Sequence, residues 1–173
     1  MRIGIVNCIL IIMTTLLSCS SEQSDLEGFD KKVQLEKEDF KNFNELKNQL
    51  LVDLIEIRKI SKKMTSADTT FLSTNNHYLF QINKDIYQPI LKKLQDKEIF
   101  KGTINTSHNG TLIFTLKERF DDTNLPHFIY SHDLVWNAKP DFSPPYSGTI
   151  EVLLDSNIDE NWKYVYYRAQ VGH

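Results

Sequence analysis

Cysteine is scarce. Two in 173 residues cannot build a disulfide scaffold. Glycine and proline are few as well, 6 and 5, which excludes collagen-like and low-complexity chains. There is no basic excess: 23 acids stand against 20 bases, a formal charge of −3, which argues against a nucleic-acid partner. Long apolar runs are missing after the first 17 residues, which excludes a multispan membrane protein. The chain has no G-x-S-x-G, no phosphate loop, no H-E-x-x-H and no dinucleotide fingerprint. No cofactor is implied, and the expectation is a protein that is not an enzyme.

What is present begins with an address. Arg2 precedes an uncharged run from Ile3 to Leu17, the length of a signal-peptide core and short of the roughly 20 residues that span a bilayer. The run closes on Leu16-Leu17-Ser18-Cys19 and turns polar at Ser20-Ser21-Glu22-Gln23. This segment resembles the bacterial lipoprotein signal. Leu16 takes the aliphatic place of the lipobox, Ser18 the small place before the cut, and Cys19 the lipidated place; Leu17 is bulkier than the usual spacer. The resemblance covers residues 1–19 and implies a removed signal peptide (1–18), diacylglyceryl on the Cys19 sulfur and acylation of the new amine. Chains worth about 0.8 kcal/mol per buried CH₂ make such an anchor stable. It also implies a cell-envelope location with the lipid bilayer as partner. Ser20 after the cysteine, not Asp, favours the outer membrane and leaves the periplasmic and surface sides open.

The mature chain would then be residues 19–173, with a side-chain charge of −4 after loss of Arg2 and one lipidated Cys. That leaves no thiol for a disulfide, a metal or a nucleophile. Residues 19–34 read as a polar tether, about 20 Å long as a coil, and residues 35–173 as a single domain.

Within the domain, Phe43, Leu50, Ile57 and Met64 recur every seven residues, with Phe40, Leu46, Leu54 and Ile60 beside them. This predicts one amphipathic helix from Glu36 to Met64, laid across a sheet and not paired in a coiled coil. Thr65 to Thr74 reads as a polar connection, within which Asp68-Thr69-Thr70 resembles a bacterial O-glycosylation acceptor. A shorter helix is expected near Lys84 to Lys97, starting close to Gln88 with Pro89 in its first turn. The period then changes to two. Ile99–Thr106 and Thr111–Glu118 flank Asn109-Gly110, a hairpin signal. Phe128 and Tyr130 mark a third strand. Thr149–Leu154 and Trp162–Ala169 form a second hairpin about Asp155–Asn161. Helices followed by strands predict an α+β fold, with an antiparallel sheet of about five strands covered by a long and a shorter helix.

Three clusters invite a chemical reading. Asp155, Asn157 and Asp159 begin like a calcium loop, but Glu160 stands where Gly is needed and Tyr166 where the bidentate carboxylate belongs, so an acidic turn is expected. His127 and His132-Asp133 suggest a metal site. An odd spacing of five puts the two imidazoles on opposite faces of a strand, so none is expected. The aromatics give the one positive signal. Trp162, Tyr164, Tyr166 and Tyr167 crowd one strand, and Trp136 and Phe142 border a proline-rich loop. Any face of that strand left uncovered would offer aromatic side chains to a protein or peptide partner. The resulting expectation is a lipid-anchored, non-enzymatic binding module. An immunity-type toxin inhibitor is the alternative, since the short helix ending at Leu94, the strands Ile99–Thr106 and Phe128–Ser131 and the last strand with Trp162 resemble small bacterial proteins, some of them encoded beside toxin genes; an envelope hydrolase is a more remote one.

Overall fold

The structure is a computed structural model that describes residues 28–62, 71–107, 110–121, 126–138, 142, 144–146 and 148–171. Cys19, the signal segment, the first part of the tether and Asp68-Thr69-Thr70 lie outside the described residues. Two compact units divide the chain, residues 1–32 and 33–173, and the fold below is that of the second.

Helix α1 spans Lys37–Val52. It starts where the Glu36 amide donates to the Asp39 carboxylate at 2.9 Å, which satisfies a backbone donor at the helix entry. Asp39 is buried, and Lys97 answers its charge at 2.7 Å. The single helix expected from Glu36 to Met64 is in fact two. Helix α2 runs Leu54–Lys62, and Asp53 sits at the break. The Asp53 carboxylate accepts from Gln49 Nε2 and from the Tyr87 hydroxyl, both at 2.8 Å. The apolar row continues across the break: Phe43, Leu46, Leu50 and Ile57 are all buried.

Strand β1, Phe71–Thr74, lies in the stretch expected to be a connection and brings the sheet to six strands, where about five were expected. Helix α3 spans Asn76–Gln95 and starts earlier than expected, because Asn75 caps it by accepting the His77 amide at 3.0 Å. Asn83 interrupts it with non-helical angles (φ −156°, ψ 90°) and recaps the second half through Oδ1 to the Ile86 amide, 3.3 Å. Pro89 therefore lies inside the helix, not in its first turn; it lacks the N–H that Asp85 would accept, yet the helix continues to Gln95.

The remaining strands are β2 (Ile104–Ser107), β3 (Leu112–Asp121), β4 (His127–Trp136), β5 (Ile150–Asn157) and β6 (Trp162–Val171). All neighbours are antiparallel, in the order β1-β2-β3-β4-β6-β5. The fold is α+β. Bulges fall between Thr115 and Lys117 in β3 and between Val152 and Leu154 in β5.

Both faces of the sheet are covered near its centre. On one face α1 and α3 bury an aromatic layer. Phe43 stands edge-on to Phe100 and Phe114 at 5.8 and 5.6 Å, and Phe114 lies 5.8 Å from Trp162. On the other face Ile113, Val135, Val165, Tyr167 and Ala169 form a second core, roofed by Ala138, Phe142 and Tyr146 of the β4–β5 loop. Gly148 lets that loop enter β5. Its φ is +120°, and an added Cβ would stand 2.5 Å from the Gln170 carbonyl oxygen.

Candidate functional site

Strand β6 is internal, paired with β4 on one side and the edge strand β5 on the other. Its alternation is as expected: Trp162, Tyr164 and Tyr166 share the helix face, Val165 and Tyr167 the loop face. Both faces are covered, and all four aromatics are buried. Trp162 Nε1 donates to Asn44 at 3.3 Å. Tyr164 accepts the Val33 amide at 2.8 Å and meets His132 Nδ1 at 2.7 Å. Tyr166 stacks on the His132 ring, centroids 4.0 Å apart and 2° from parallel. These side chains hold the interior together and offer no surface to a partner. Trp136 is half-buried with Lys47 Nζ 5.1 Å above its ring, and half-buried Phe142 packs on the second core.

His132 pairs with Tyr166 on the helix face, and His127 pairs with Val171 on the loop face. The two imidazoles thus point apart, as their spacing requires, and no cluster of metal-ligating side chains occurs among the described residues. The acidic turn is also accounted for. Asp155 meets Lys163 at 2.9 Å, and Asp159 accepts the amides of Asn161 and Trp162 at 2.7 and 2.8 Å.

The loop face holds a buried polar cluster that the spacing did not reveal. Asp133 is fully buried; Ser131 Oγ donates to one of its oxygens at 2.8 Å and the Tyr167 hydroxyl to the other at 2.9 Å, with Thr115 as a third partner. Burial pushes the Asp133 carboxyl up to about 7 against the pull of these three hydroxyls, and nearby Glu118 adds to the rise. Tyr146 donates to Glu118 and closes the cluster from the loop side; burial first, then the Glu118 partner, raise its hydroxyl. Burial likewise raises Tyr167, with Asp133 adding to it. The register lines up Thr115, Asp133 and Val165 in one row and Glu118, Ser131 and Tyr167 in the next. A sequence-level signal existed in Ser131-His132-Asp133, two hydroxyl-acid positions one pleat apart, but only the pairing with Tyr167 makes it a cluster.

A hollow of about 510 Å³ opens between the end of α3 and the β3 bulge, floored by Phe100 and Leu116 and rimmed by Glu98, Lys101 and Lys117. Glu98 adopts a left-handed backbone, φ 55°, where the chain turns after α3.

One of the two edge strands, β5, exposes a run of apolar residues. No described strand lies beyond it. Val152, Leu153 and Leu154 are 50, 42 and 38% exposed, although three apolar residues in a row would ordinarily be buried. The sequence placed Ile150, Val152 and Leu154 on one face. The bulge at Leu153 moves Leu154 across, opposite Tyr166 on the helix face, while Val152 stays opposite Tyr167 on the loop face. Apolar surface therefore shows on both sides of one edge. Consecutive apolar residues in a strand of period two were the available clue.

No known protein family matches this chain, and neither a characterised protein nor a solved structure is significantly similar to it.

Proposed function

We propose that this chain is a lipid-anchored envelope protein whose α+β domain works by binding another protein and not by catalysis. The observation that carries the reading is the β5 edge. A sheet covered on both faces at its centre leaves Val152, Leu153 and Leu154 in water at its rim. Exposed apolar surface gathered on one element is the usual mark of an interaction site. The lipobox Leu16-Leu17-Ser18-Cys19 supports the anchor, and Ser20 supports the outer membrane as its address.

Two measurements test this. Metabolic palmitate labelling is expected in the wild-type chain and lost in Cys19→Ser; label that persists in the variant refutes the anchor. For binding, a photo-crosslinking residue at Leu154 and another at Phe142 are expected to give a discrete adduct at one position or both. Adducts at neither refute the binding module.

A further inference from the structure

We infer, resting on the interaction reading above, that the open edge of β5 takes an extended segment of a partner protein as a seventh strand, apolar at alternate positions and basic towards the β5–β6 turn. The main chain supplies the first part of the argument. The Gln170 amide donates to the Thr149 carbonyl at 2.9 Å, and the Ile158 amide to the Trp162 carbonyl at 2.8 Å. In an antiparallel ladder these bonds make Ile150–Ala169 and Asn157–Lys163 the pairs that do not bond each other directly. The N–H and C=O groups of Ile150, Val152, Asp155 and Asn157 therefore point away from β6, towards the open edge.

The side chains say what kind of strand fits. Natural edges are defended by charge, by proline, by very short length or by a bulge. β5 has two acids, each answered by a base of β6, and one bulge, which leaves the outward groups of Ile150, Val152, Asp155 and Asn157 directed at the edge. β5 has eight residues, neither lysine nor proline, and apolar side chains exposed on both faces. An added strand with alternate apolar side chains presents one apolar face, which covers Val152 on the loop face or, one residue out of register, Leu154 on the helix face. Residues 150–161 carry four acids, Glu151, Asp155, Asp159 and Glu160, and no base. Arg168 and Lys163 on β6 answer Glu151 and Asp155, at 2.6 and 2.9 Å. Asp159 and Glu160 lie in the turn, where their charge favours a basic end on the incoming segment.

A second copy of this chain fits worse. Self-pairing would set acid beside acid and put two bulges into one ladder. An eight-residue edge is also small. At about 3.4 Å per residue and about 10 Å thick it buries a few hundred Å² per partner, below the roughly 800 Å² of a standard interface. A flexible segment escapes that limit by folding over the exposed side chains as well as pairing.

The test uses the full chain in mild detergent and three capped nine-residue peptides: alternating Val and Lys, alternating Val and Glu, and Val and Lys with an N-methyl group on every amide. Hydrogen exchange resolved to single amides is the readout. The Val/Lys peptide is expected to slow exchange at Ile150, Val152, Asp155 and Asn157 by tenfold or more. The Val/Glu peptide is expected to bind at least tenfold more weakly at low salt, and the methylated peptide to give no protection. Val152→Pro removes one outward donor and no internal bond, so it is expected to abolish protection while leaving circular dichroism unchanged. If Val152→Pro unfolds the domain, the methylated peptide still decides the matter. Unchanged exchange with every peptide overturns the inference, and so does equal protection by the methylated one. Protection that rises with protein concentration alone overturns it in favour of a second copy. Adducts at Phe142 with none at Leu154 overturn the edge while sparing the binding module, whereas adducts at neither overturn both.

Discussion

The Tyr167 hydroxyl donates to the Asp133 carboxyl across 2.9 Å in the buried layer beneath the β4–β5 loop, and the charged neighbour that acts on Asp133 is itself an acid, Glu118. A carboxyl in such a place holds its proton far longer than one in water. Its folded pKa of about 7 lies above the unfolded value of about 3.9. The stability it contributes is complete below about pH 4, falls as pH rises through about 7, and is gone above that. Urea midpoints measured from pH 4 to pH 8 are expected to decline in the wild type, by a difference on the order of a few kcal/mol. Asp133→Asn should flatten that decline; a variant with the same slope would show that another group titrates.

Tyr87 joins α3 to the break between α1 and α2. Its buried hydroxyl donates to Asp53 at 2.8 Å, and burial together with that carboxylate raises its pKa. Tyr87→Phe keeps the ring and removes the donor, so thermal unfolding should report a loss of about 1–2 kcal/mol. A neutral result would mean that Gln49 alone satisfies Asp53.

Glu98 holds a left-handed backbone at φ 55°, a conformation that costs a residue with a Cβ and suits glycine. Glu98→Gly is expected to raise stability by about 0.5–1 kcal/mol, the relief of strain exceeding the added freedom of the unfolded chain. Chemical denaturation checks it, and a loss would show that the Glu98 side chain contributes contacts of its own.

Gly148 has no such latitude. With φ at +120° and the Gln170 carbonyl 2.5 Å from any added Cβ, Gly148→Ala must displace backbone. We expect a loss of about 2–4 kcal/mol, visible as a lowered melting temperature. Retention of wild-type stability would mean that the entry to β5 yields easily.

Period and turn chemistry made much of the architecture readable beforehand. The α+β class, the β5–β6 hairpin, the faces of Trp162, Tyr164 and Tyr166, and the opposed imidazoles of His127 and His132 all follow from alternation along single strands. What escaped was non-local. The break at Asp53 has no glycine or proline to mark it; it is fixed by Tyr87, 34 residues away. β1 hides among polar residues because pairing with β2 defines it, and its own period does not. The roof over the second core comes from a loop of irregular sequence, so Tyr167 and its neighbours could not be assigned to interior or surface in advance. The Asp133 cluster needs three strands brought side by side, and the exposed edge needs to be known as an edge.

The strand that joins β4 to β5 is the latest of the six along the chain. Until Trp162–Val171 has emerged from the ribosome, β4 has one bare side, β5 has no neighbour, and Asp133 lacks the hydroxyl of Tyr167. Closure of both cores therefore waits on the last of the six strands. A chain stalled before Trp162 pairs four strands, leaves β5 alone and closes neither core, a looser state that is easier to thread through a narrow channel than the finished sheet.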